Sequence, residues 1–99
     1  MEHPNRWVIL EVKTPTDTIQ KVFAGWSGGY LDGDSWKLNS GIVETKEDGD
    51  YVEFTGVSGN VYRCHKQGYG MTVYMASIYD SWIKQLPNDA SLTILEDYV

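Results

Sequence analysis

The sequence predicts an α+β fold: an antiparallel β-meander or partly open small barrel of about six strands, with one helix at about residues 71–86 packed on it. Three observations predict it. Only Gly70 to Leu86 sustains a helical period, with Met71, Met75, Ile78, Trp82 and Leu86 on one stripe and Ser77, Asp80, Ser81 and Lys84 opposite. Elsewhere the apolar residues sit in short β-rich runs bounded by Gly, Pro, Asn and Asp. Two of those boundaries, Asp48-Gly49 and Ser58-Gly59-Asn60, have the composition of hairpin turns. A chain of 99 residues is expected to form a single domain, 1–99.

Taken in order, residues 1–6 are polar and contain Pro4, and are expected to be a frayed lead-in. Trp7 to Val12, WVILEV, is almost wholly apolar, as suits a strand covered on both faces. Thr14-Pro15-Thr16-Asp17 reads as a turn and Thr18 to Trp26 as the second strand. Gly25 to Asp34 is a glycine-rich loop carrying Trp26 and Tyr30, and Trp36 to Leu38 is a short strand.

Ile42 to Lys66 reads as a three-stranded meander. A two-residue loop at Asp48-Gly49 sets Val43 against Phe54, Thr45 against Val52 and Glu44 against Glu53. A three-residue loop at Ser58-Gly59-Asn60 sets Phe54 against Cys64. It is preferred because side-chain direction has period two and this register gives a uniform inner face. That face is Val43, Val52, Phe54, Tyr62 and Cys64; Glu44, Lys46, Tyr51, Glu53, Thr55, Arg63 and His65 point outward. The helix follows and ends before Pro87, with Asp80 and Lys84 spaced for an ion pair. Ser91 to Leu95 is a last strand, and Glu96 to Val99 a tail.

Charge narrows the partners. Fourteen acidic against eight basic side chains give a formal net charge of −6, which disfavours direct nucleic-acid binding because phosphate contacts need a positive footprint. No apolar run reaches the length needed to span a bilayer, and MEHPNRW lacks the apolar core of a signal peptide. With Cys64 the lone cysteine, a reduced, cytoplasmic chain is expected.

The motifs for chemistry are weak. Cys64 and His65 are sequence neighbours, so on a strand they point to opposite faces, and no CxxC or HxxxH accompanies them. Asp32-Gly33-Asp34-Ser35 begins like a calcium loop, but Lys37 and Val43 stand where its glycine and glutamate belong. The glycines at 25, 28, 29 and 33 form neither a dinucleotide fingerprint nor a phosphate-binding loop. Glu53 and His65 are expected to be cross-strand neighbours in solvent, a poor setting for general acid–base catalysis. The sequence therefore predicts no catalytic residue, no metal site and no cofactor.

Two surfaces remain. Glu44, Glu47, Asp48, Asp50 and Glu53 make an acidic hairpin suited to a partner protein with a basic surface. Trp26, Tyr30, Trp36 and Tyr74 make an aromatic patch of interface-forming residue types. The expected function is a small, non-enzymatic interaction module, an adaptor or inhibitor that occupies a protein surface. Nucleic-acid mimicry of the phage-inhibitor kind is its special case. The alternative is a small-molecule-binding domain or minor enzyme with a pocket under loop 25–34. A monomer or homodimer is expected, the helix border at Tyr74, Tyr79 or Ile83 being the self-association surface.

Overall fold

The apolar run Trp7–Val12 requires cover on both faces, and the fold is built to supply it. The computed structural model describes residues 1–29 and 33–98. Along these the chain runs β1 (Arg6–Lys13), β2 (Thr18–Gly29), β3 (Gly33–Leu38), β4 (Ile42–Asp48), β5 (Tyr51–Gly56), β6 (Val61–His65), a short 3-10 turn (Lys66–Gly68), α1 (Val73–Gln85) and β7 (Ser91–Ile94). The strands form two antiparallel sheets, ordered β3–β2–β1–β7 and β4–β5–β6, and the sheets do not close into a barrel.

Period two along β1 divides the core. Trp7 and Ile9, with Val22 and Ala24 of β2, pack against Val52, Phe54, Tyr62 and Cys64 of the three-stranded sheet. Val8 and Leu10, with Phe23, face the other way and meet Met75 of α1. The result is three layers, with β1 buried on both faces as its composition demands. Fully burying each of Trp7, Ile9 and Phe54 contributes about 2 kcal/mol or more. Tyr69 ties the layers: its hydroxyl donates to the Leu95 carbonyl at 2.6 Å and accepts from Ile9 N–H at 3.1 Å.

The helix is shorter than expected at its start. Thr72 is its N-cap, the Thr72 Oγ1 accepting from Met75 N–H at 3.1 Å. It stops at Gln85 because Leu86 precedes Pro87, and a residue before proline is pushed to extended backbone. Asp80 and Lys84 pair at 2.9 Å as their spacing suggests.

Both meander hairpins keep their expected faces but shift register by two residues. In the first, the loop is Gly49-Asp50 rather than Asp48-Gly49. Gly49 takes φ 61° as the first loop residue, so Asp48 pairs with Tyr51 and Thr45 with Phe54. In the second, Val57-Ser58-Gly59 is the loop, with Gly59 at φ 92° as its third residue and Gly56 N–H donating to the Asn60 carbonyl. Phe54 therefore faces Tyr62, and Val52 faces Cys64.

A shift of two preserves parity, so Val52, Phe54, Tyr62 and Cys64 are all buried. Val43 is the exception to the expected inner face. A bulge between Ile42 and Glu44 turns Ile42 toward the core and leaves Val43 63% exposed.

The expected loose ends are both held. Glu2 N–H donates to the Val61 carbonyl and Arg63 N–H donates to the Glu2 carbonyl, so Glu2 lies against β6, while Asn5 N–H donates to the Gly25 carbonyl of β2 and Arg6 already belongs to β1. In the tail, Tyr98 packs its ring 5.5 Å from Trp7. Among the described residues no helix is long and apolar enough to cross a membrane.

Candidate functional site

Period two and the observed registers place nine outward side chains of the three-stranded sheet on a grid. Its rows are Glu44–Thr55–Val61, Lys46–Glu53–Arg63 and Asp48–Tyr51–His65. Among the described residues no element covers this face, and β4 is exposed throughout after Ile42.

The expected repulsion between Glu44 and Glu53 is absent. The register shift sets Glu44 against Thr55 and places Glu53 between Lys46 and Arg63. Arg63 Nη1 donates to Glu53 Oε2 at 2.5 Å and to Asp48 Oδ2 at 2.8 Å, and its guanidinium lies 4.3 Å from the Tyr51 ring centre. These contacts hold the Asp48 carboxyl below its ordinary pKa and the Arg63 guanidinium above its own; the first cause is the direct hydrogen bond between them.

The five predicted acidic residues therefore play different parts. Glu53 is neutralised within the sheet. Asp48 is half-shared with Arg63. Glu47 points to the inner side beyond the core and meets Lys66 at 3.8 Å. Among the described residues, Glu44 and Asp50 form no ion pair. Negative charge thus collects at the hairpin tip and along β4, not over the whole face.

His65 is not Glu53's partner. It sits opposite Tyr51, edge-on to its ring at 5.0 Å, and its Nδ1 accepts from Gln67 N–H at 3.1 Å. Cys64 points the other way and is fully buried, which pushes its thiol up to about 12. A thiol so buried is not a nucleophile at neutral pH. Among the described residues no three His, Cys, Asp or Glu side chains are placed to hold a metal ion.

The aromatic residues are dispersed. Trp26 lies on the face of β2 toward the three-stranded sheet, its Nε1 donating to the His3 carbonyl at 3.0 Å, with Lys37 Nζ 6.0 Å from its ring. Trp36, opposite Gly25, lies on the helix side, edge-on to Trp82 at 5.1 Å and Phe23 at 6.0 Å. Tyr74 is half-buried on α1. Tyr30 and Asp32 lie outside the described residues.

At the helix border Tyr79 donates its hydroxyl to the Leu92 carbonyl, and Ile83 remains 39% exposed.

An apolar cavity of about 330 Å³ opens between the end of α1 and the four-stranded sheet, lined by Leu10, Val12, Leu38, Trp82, Gln85, Leu86 and Leu92. Sequence reasoning missed it. Its signal was present in Val12 and Leu92, apolar strand residues that line it together with Trp82 and Leu86 of the helix stripe. Trp26, Trp36 and Tyr74 do not line this cavity.

No protein-family model matches the chain, no curated protein matches it, and no solved structure matches it.

Proposed function

We propose that the chain is a non-enzymatic interaction module that occupies a basic surface on a partner protein through the β4–β5 hairpin. The observation that carries this reading is the placement of Glu44, Glu47, Asp48 and Asp50, all exposed on one edge and tip. Arg63 orders Asp48 without burying it, so part of the negative surface is pre-organised before any partner arrives. Charge of this kind steers encounter and selects partners more than it adds affinity. Direct binding of nucleic acid does not suit a chain of charge −6. Mimicry of nucleic acid remains the special case in which the basic partner surface is a nucleic-acid groove. A cytoplasmic setting, with Cys64 reduced, belongs to the same reading.

The test is affinity capture from native lysate with wild type and with the variant Glu44→Gln, Glu47→Gln, Asp48→Asn, Asp50→Asn. A partner that wild type retains, salt releases and the neutralised variant loses supports the reading. Equal retention by both proteins, or no specific capture, overturns it.

The apolar cavity favours a second reading, small-molecule binding, with Gln85 as the polar lining group and none of the described residues 25–29, 33 and 34 in its wall. Its volume is at the lower end of ligand sites. Protection of Trp82 fluorescence from quencher by an apolar ligand, abolished by Leu92→Trp in the cavity wall, tests it.

A further inference from the structure

The two edges of the three-stranded sheet are treated differently. The β6 edge is closed by the chain itself, through the hydrogen bonds of Glu2 with Val61 and Arg63. The β4 edge is open: among the described residues, Val43 to Glu47 make no backbone hydrogen bond beyond their ladder to β5. An exposed row of unpaired N–H and C=O groups is a template for another strand.

We infer that the β4 edge pairs antiparallel with the β4 edge of a second copy, about a two-fold axis through Thr45. The charge pattern selects both the occupant and the register. A two-fold axis normal to the sheet sets like-facing residues opposite one another, so only registers centred on a residue are permitted. Centred on Thr45, Glu44 of each copy faces Lys46 of the other, twice, and Thr45 faces Thr45. Centred on Glu44 the axis sets Glu44 against itself. Centred on Lys46 it sets Lys46 against itself and Glu44 against Asp48. Centred on Glu47 it sets Glu47 against itself. Thr45 is the one centre of these four that pairs opposite charges and opposes no like ones.

Closure follows from the same topology. Once β4 is paired, the continuous six-stranded sheet ends on two β6 edges, each already covered by residues near Glu2. The assembly stops at a dimer instead of growing into a fibre. The pairing uses the same β4 edge as the proposed function, with Glu44 and Glu47 inside it and Asp48 opposite Ile42 of the second copy, and it leaves Gly49 and Asp50 at the hairpin tip outside the paired strands.

The experiment is sedimentation over a concentration series for wild type, Glu44→Lys, Lys46→Glu and the exchange Glu44→Lys/Lys46→Glu, with folding checked by circular dichroism. Wild type and the exchanged variant are expected to dimerise. Each single reversal creates two like-charge pairs and is expected to raise the dissociation constant by about tenfold. Mixing the two single variants is expected to restore dimers, because every Lys then faces a Glu. Glu44→Lys faces only Thr55 within its own chain and decides the matter even if Lys46→Glu, opposite Glu53, is destabilised. A wild type monomeric at every concentration overturns the inference. So does a wild-type dimer that Glu44→Lys leaves unchanged.

Discussion

Asn39 and Val22 bond reciprocally: Asn39 Oδ1 accepts Val22 N–H at 2.8 Å, and Asn39 N–H donates to the Val22 carbonyl at 3.0 Å. The β2–β3 ladder ends at Phe23 opposite Leu38, so the next buried N–H on β2 has lost its strand partner. The Asn39 side chain replaces it, and Asn39 is itself only 4% exposed. Asn39→Leu keeps the bulk but removes the acceptor. It is expected to cost about 1–3 kcal/mol, the penalty of an unsatisfied buried donor, in urea denaturation. A loss within error of zero refutes this role.

Arg63 couples the hairpin tip to β6. Asp48 has a lowered pKa in the folded chain, first from its hydrogen bond to Arg63 and then from the guanidinium charge. A depressed carboxyl stabilises the fold above its ordinary value of 3.8, and that stabilisation is lost as pH falls through the folded value. In Arg63→Gln the Asp48 carboxyl is expected to titrate higher than in wild type, and the acid limb of the stability curve is expected to flatten. Carboxyl-detected NMR titration checks it; an unchanged Asp48 titration rejects the coupling.

How much of this was legible follows from which constraints are local. The inner face Val52, Phe54, Tyr62, Cys64 was readable because period two survives any register shift of two residues. The registers themselves were not, because each depends on which loop position the glycine takes. Gly49 leads its turn and Gly59 closes its own, and composition alone does not say so. The bulge that exchanges Ile42 and Val43 left no composition signal.

The candidate site suffered from the same gap. Once Gly25 is known to face Trp36, Trp26 and Trp36 must lie on opposite faces, yet the sequence does not reveal that pairing. The contacts of Glu2 with β6 and of Tyr98 with Trp7 join residues far apart in the chain, beyond any window of local pattern. The two-sided burial of β1 was readable, since WVILEV allows little else.

Cys64 gives an alkaline signature. Burial raises its thiol from 9.0 to about 12, so between those values the unfolded chain loses a proton that the folded chain keeps. Stability is therefore fully retained below pH 9 and falls as pH rises toward 12, by at most about 1.4 kcal/mol per unit. Tyr62, Tyr69 and Tyr79 are raised from 10.0 by burial and add to the loss at higher pH. In Cys64→Ala the decline is expected to begin about one pH unit later, near the tyrosine range. Identical alkaline limbs in the two proteins refute the assignment. Thiol labelling of native wild type should likewise proceed only at the rate of opening.

Gly25 and Met75 test how the helix is seated on the four-stranded sheet. Gly25 is buried on β2 with an ordinary negative φ, so its lack of a side chain is not a matter of backbone conformation. It is a matter of space: a Cβ there would overlap the Met75 sulfur and come within 2.8 Å of Met75 Cγ. Met75 is fully buried, and its backbone N–H is bonded to Thr72 at the helix cap, so the residue is fixed at its root. Gly25→Ala is expected to destabilise by about 1–3 kcal/mol through overpacking. Met75→Ala alone is expected to cost about 2–5 kcal/mol by leaving a cavity. In the double variant the new methyl enters the space that the methionine vacates. The combined loss should fall short of the sum by about 0.5–3 kcal/mol, the range of coupling for residues in contact. Additive losses in a double-mutant cycle would show that α1 does not rest on β2 through this contact.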